Sequence, residues 1–177
     1  MQRMTEQEKE EILAFMARGQ AALRSALRGV SHEGSVRSPG PGRWSILQCM
    51  EHVAVTEGYL FAQVVSGELA DVTLLNPERE ARIKARGADR LHRVESPDIC
   101  RPEGVFASVA EAFEQFRTER ERTVEFVENS QEDLRFRIAM HPIIGKVNCC
   151  EMLFLMAVHP LRHAGQIEEI VASLIRS

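Results

Sequence analysis

His159 and His163 stand four residues apart in the segment HPLRH, a spacing that sets two imidazoles on one helical face, about 6 Å apart along the axis. Leu155 precedes them on that face and Ile167 and Ile170 follow, so it is the face that should turn inward. Two imidazoles aimed at an apolar interior are costly unless their ring nitrogens find partners. A metal ion would supply one, since HxxxH on a helix lets two rings chelate a single ion. Hydrogen-bonded core or boundary histidines would serve as well, and with no flanking glutamate the spacing alone does not choose. Pro160 lies inside the pair, where it removes an amide and crowds the carbonyl of Met156, which predicts a kink or a break at this point. A third ligand must come from elsewhere. His52 is the natural candidate, in a polar sector with Gln48, Thr56, Tyr59 and Gln63. That sector suits a solvated stripe, or a pocket wall on which Tyr59 and Gln48 orient a ligand. Glu57 falls near the centre of the opposite, apolar sector, as a buried and paired acid, a catalytic one, or an acid at a helix-contact edge. His32 and His92 lie in turn-rich stretches with no site role expected, and His141, before Pro142 and Gly145, should set a local loop.

These side chains need helices to carry them, and four segments open with a capping pattern directly before an apolar periodic run. The pairs are Thr5 with Glu8, Ser45 with Gln48, Ser108 with Glu111 and Asn148 with Glu151. The first helix is expected from Thr5 to about Leu27, stopping at Gly29. The second runs from Ser45 to about Ser66, the third from Ser108 to about Glu128, and the last from Asn148 nearly to the end. Met152 to Val158 is apolar on all sides, the mark of a central helix. The stretch SHEGSVRSPGPGR reads as a turn-rich connection, because Pro39 and Pro41 forbid regular helix. No segment alternates as a confident strand; 135–139 is a loop or one short strand. The expected fold is therefore all-α, one domain over residues 1–177, a four-helix bundle. Its 67–107 connection is long enough for a crossover that leaves the second and third helices parallel, and Asn76-Pro77 predicts one short helix within it.

The 177 residues carry 26 acids against 22 bases, a formal charge of −4, so no electrostatic case exists for nucleic acid. Aromatics at 6% weaken any picture of base stacking, and no apolar run is long enough to span a bilayer. The opening MQRMTEQEKEE places acids where a signal peptide needs apolar residues, and the expected location is the cytoplasm. Cys149 and Cys150 are adjacent while Cys49 and Cys100 stand alone; with no CxxC, all four are expected as free thiols.

RWSILQCMEHV in the second helix and HPLRHAGQIEEI in the last, with HPIIG leading into the latter, resemble the DinB/YfiT superfamily. The resemblance implies a four-helix bundle with a long crossover and a three-histidine metal site, and it assigns the ligands to His52, His159 and His163. Trp44 matches a tryptophan usual at the start of the second helix, and Gln166 a glutamine often found after the last histidine. Three imidazoles leave a coordination position open, with zinc as the leading metal and nickel, iron or manganese also suited. The ion could activate water for hydrolysis, or hold a low-molecular-weight thiol as thiolate for attack on an electrophilic carbon. Characterised relatives resemble the second case, being thiol S-transferases and thiol-dependent isomerases, so the expected partners are a small-molecule substrate and a second copy in a homodimer. Arg162 beside the histidine pair, and Arg79, Arg82 and Arg86 of the crossover, could receive a thiol's carboxylates, although each also suits a solvated helix face. The hydrolase alternative would need Glu57 or Glu51 as general base. A non-catalytic metal-binding stress-response or dimerisation module is the third reading.

Overall fold

Four long helices form the body in a computed structural model, which describes residues 4–70, 76–91 and 94–175; His92 lies outside the described residues. Helix α1 (Glu6–Ala26) packs on α6 (Cys149–Ile175) and α5 (Val109–Asn129), and α3 (Ile46–Val65) packs on α5 and α6, which closes the ring. The caps follow from the local sequence. Thr5 with Glu8 and Ser45 with Gln48 make complete capping boxes. Asn148 and Glu151 exchange two bonds, of 2.8 and 3.2 Å, at the start of α6. Ser108 accepts from the Glu111 amide, while the Glu111 carboxylate reaches one residue further back, to the Ala107 amide. Gly29, at φ +76°, takes the left-handed turn beyond α1.

Two segments differ from the sequence expectation. Ser31 accepts from the Gly34 amide at 3.1 Å and starts a single-turn helix, α2 (His32–Val36), inside the turn-rich connection, before the two prolines stop it. Strand β1 (Glu68–Leu69), β2 (Arg137–His141) and β3 (Gly145–Asn148) form a small antiparallel sheet in the order β1-β2-β3. Two strands therefore stand where a loop or one short strand is expected, and a 3-10 turn (Leu134–Phe136) precedes them. His141 Nδ1 accepts from the Ile143 and Ile144 amides and holds the hairpin turn, with Gly145 at φ +76°.

The 67–107 connection carries α4 (Pro77–Arg86), capped by Asn76 with Pro77 in its first turn, and a 3-10 turn (Asp98–Cys100). Two apolar clusters fill the body. One holds Met16, Leu60, Val64 and Phe154, the other Leu23, Met50, Phe116 and Ile167, and α6 contributes to both. All of Met152–Val158 is buried except Leu155, as an all-apolar segment requires. All four cysteines are buried free thiols. Among the described residues, no helix is long and apolar enough to cross a membrane.

Candidate metal centre

The middle of α6 delivers His159 and His163, and the middle of α3 delivers His52, to one point between the helices. Their ring centroids are 4.5 Å apart for His159–His163, 4.7 Å for His52–His163 and 5.0 Å for His52–His159. One nitrogen from each ring lies within 4.8 Å of the others. The Nε2 atoms of His52 and His159 are 3.1 Å apart. Zinc–nitrogen bonds of about 2.0–2.1 Å at a tetrahedral angle separate two ligand atoms by roughly 3.3 Å, so the spacing fits one shared ion.

The ring tautomers fit as well. His52 Nδ1 lies 2.6 Å from the Cys100 carbonyl oxygen, which can only accept, so the proton sits on Nδ1 and the Nε2 lone pair faces the centre. His163 Nδ1 lies 2.9 Å from Gln166 Oε1 and is fixed in the same way. Behind Gln166 stands Arg90, which reaches Oε1 at 3.4 Å and grips the Glu169 carboxylate with bonds of 2.8 and 2.7 Å. Partners of this kind orient ligand rings and raise their basicity toward a metal. Burial lowers the pKa of all three imidazoles, and the nearness of the other rings lowers those of His159 and His163 further. Three neutral imidazoles, two of them with the inward lone pair fixed from behind, are a donor set suited to a divalent cation.

Pro160 remains within a continuous helix because its missing amide is replaced. The Met156 carbonyl, which that amide would have served, accepts instead from Arg120 at 3.0 Å. Arg120 also reaches the Met16 carbonyl at 3.3 Å and forms a bidentate pair with Glu57 at 2.7 and 2.9 Å. Arg120 and Glu57 are both fully buried, between the two apolar clusters. Burial raises the Glu57 carboxyl and the Arg120 guanidinium draws it back down. Glu57 is thus the buried, paired acid among its expected roles, and it faces away from the histidines.

Gly19 of α1 seats the same stretch of α6. A Cβ there would stand 2.9 Å from the Ala157 carbonyl oxygen and 3.2 Å from Pro160 Cβ, and neither can move without shifting the helix that carries the histidines. Gly19→Ala is therefore expected to destabilise the fold by about 1–3 kcal/mol through overpacking, despite the helix propensity gained. Urea denaturation checks this; an unchanged or raised midpoint would mean that α1 and α6 separate freely.

A cavity of about 1090 Å³ opens beside the three histidines. Trp44, tilted on His52 at 5.0 Å between ring centroids, forms part of its wall with Arg162, Gln166 and His141. The structure places other expected pocket residues elsewhere. Gln48 turns back to the Ser45 amide as half of the capping box, and Tyr59 packs against the apolar core. Arg79 is bonded to Glu151 at 2.9 and 2.5 Å. Glu51 Oε1 accepts from the amides of residues 103, 104 and 105, and its Oε2 is buried without a partner among the described residues. The chain's thiols are held protonated by burial, those of Cys49 and Cys150 pushed up to about 12 and that of Cys149 to about 11. The part played by the Cys100 carbonyl has no signal in the sequence, whereas Gln166 follows His163 at a helical i,i+3 spacing.

A family model described as the DinB superfamily matches residues 5–167. No functionally curated protein matches the sequence. Among solved structures, the chain is similar to YfiT from Bacillus subtilis, described as a probable metal-dependent hydrolase with an unusual four-helix bundle topology. The match has a TM-score of 0.61 at 14% identity and covers 98% of this chain and 91% of that one. At that identity the likeness carries the fold alone.

Proposed function

The chain belongs to the DinB superfamily, and on that premise we propose a metal-dependent enzyme that acts on a small molecule in the cavity over His52, His159 and His163. The observation that carries this reading is the fixed tautomer of His52 and His163, whose outer nitrogens are tied to Cys100 and Gln166 and whose inner lone pairs are left to converge. A bound divalent ion, zinc first among the candidates, would activate an external nucleophile for attack on an electrophilic carbon. The thiol of a low-molecular-weight cofactor is the leading nucleophile. The four protein thiols are buried and protonated, so such a sulfur nucleophile has to come from outside. One observation favours it over water. The two glutamates that hydrolysis could use as general base are engaged elsewhere, Glu57 by Arg120 and Glu51 by three loop amides.

The chain's own residues bind and orient. Trp44 and Thr56 wall the site on the α3 side, Leu155 and Val158 give it an apolar floor on α6, and Arg162 brings a positive charge beside the histidines. The crossover closes it. We read α3 and α5 as parallel, because Glu57 meets Arg120 and Phe61 meets Phe126, so that contacts advance along both helices in the same direction. The 67–107 segment then returns along the length of the bundle with Cys100 against His52. Hydrolysis is the second reading, supported by the description of the YfiT neighbour.

Metal analysis of untagged protein, followed by an electrophile-consumption assay with and without each small thiol, tests the proposal. Thiol transfer predicts metal-dependent turnover only when a thiol is present. Turnover with water alone would move the assignment to hydrolysis, and protein that neither holds metal nor gains thermal stability from added zinc or nickel would sink both.

A further inference from the structure

We propose that the cavity binds an anionic small molecule with two negative charges on an apolar body, held by Arg82 and Arg86 of α4 and by Arg43 ahead of α3. This inference rests on the reading that the cavity is the substrate site, and it names the class of molecule the site accepts. The charge distribution is the first observation. The chain as a whole carries −4, yet the cavity is lined by six arginines, Arg43, Arg82, Arg86, Arg90, Arg101 and Arg162, against only Asp89 and Glu95. The local charge is opposite in sign to that of the protein as a whole. A concave, partly apolar wall focuses such a field and raises the local concentration of anions.

The partners of the arginines are the second observation. Arg90 is occupied by Glu169 and Gln166, and Arg101 by Asp98. Arg43, Arg82 and Arg86 make no ion pair among the described residues, although α4 and its surroundings are rich in acids that pair with other bases, as Glu80 does with Lys84. Arg82 and Arg86 are four apart on one helix, an arrangement of like charges that is mildly unfavourable until an anion lies between them. Planar guanidinium groups bind carboxylates and phosphates through paired bonds.

The third observation is that α4 is fixed beside the histidines. Gly87 closes the helix so tightly on α6 that a Cβ there would stand 2.3 Å from Val158 Cγ2, one residue before His159. Glu151 holds the other end of α4 through Arg79. The helix that carries the two free arginines is therefore held in place at the cavity wall. Leu60, Leu155, Val158 and Ile170 line the same space and would cover the apolar body of the ligand. A cavity of about 1090 Å³ has room for a ligand well beyond a single phosphate or acetate.

Calorimetric titration of apo and zinc-loaded protein with succinate, phenyl phosphate and uncharged succinamide tests the proposal, on the wild type and on Arg82→Gln/Arg86→Gln. Either dianion, or both, should bind at least about tenfold more tightly than succinamide, more weakly in high salt, and about tenfold more weakly to the double variant. The tighter of the two probes identifies the anionic group as carboxylate or phosphate. Dianions that bind no better than succinamide, or equally well to the variant, overturn the proposal; Arg43→Gln repeats the comparison from the opposite wall if the double variant is misfolded by circular dichroism. Zinc content is measured on the same samples. Dianion binding by a chain that takes up no zinc would refute the metal reading and keep this one, and full zinc uptake with no preference for dianions would do the reverse.

Discussion

Arg120→Met is expected to destabilise the protein by about 3–5 kcal/mol, the usual consequence of stranding one member of a buried ion pair. Four buried acceptors lose their donor at once: both Glu57 oxygens, the Met16 carbonyl and the Met156 carbonyl. At this chain length each kcal/mol corresponds to roughly 2–4 °C in Tm, so the loss is easily read by thermal or urea unfolding. The partial remedies separate the contributions. Adding Glu57→Leu removes the stranded carboxylate and should recover much of the loss. Adding Pro160→Ala restores an amide to the Met156 carbonyl and should recover a further share, a gain larger in the Arg120→Met background than in the wild type. A loss below about 1 kcal/mol, or no coupling between Arg120 and Pro160, would show that the helix around Pro160 is stabilised by other means.

His163→Ala should abolish tight metal binding while leaving a folded chain. Two imidazoles, His52 and His159, would remain, and the lost ring takes with it one of the two ligands fixed at Nδ1. We expect metal affinity to fall at least about 100-fold, and Gln166→Leu, which removes only the bond at Nδ1, to cost about 10–100-fold. Metal per chain after dialysis, with competition against a coloured chelator, measures both. A His163→Ala protein that keeps wild-type stoichiometry and affinity would remove this residue from the centre.

What the sequence made legible was local. Thr5 with Glu8 and Ser45 with Gln48 mark helix starts because each capping box is written within four residues, and the i,i+4 spacing of His159 and His163 survives folding as a shared face. Long-range pairing was not legible. Glu57 stood out as an acid in an apolar sector, but its partner lies 63 positions away on another helix. The site's supporting shell was also hidden, since a backbone carbonyl at Cys100 leaves no trace in residue type. The hairpin escaped because only Ala139 in β2 is buried, so its strand alternates too little to be recognised. Tyr59 and Gln48 were drawn toward the pocket by sharing a helical sector with His52, but Gln48 is taken up by the Ser45 amide and Tyr59 by the apolar core.

One carboxylate joins two parts of the molecule that could have moved separately. Glu151 Oε2 accepts from the Asn148 amide at the start of α6, and both oxygens of the same carboxylate anchor α4 through Arg79. An excursion that swings α4 away must also loosen the start of the longest helix. The wall bearing Arg82 and Arg86 and the base of the histidine helix thus belong to one cooperative unit of local unfolding, which makes brief partial opening of the cavity rarer and ties it to the fold's own breathing.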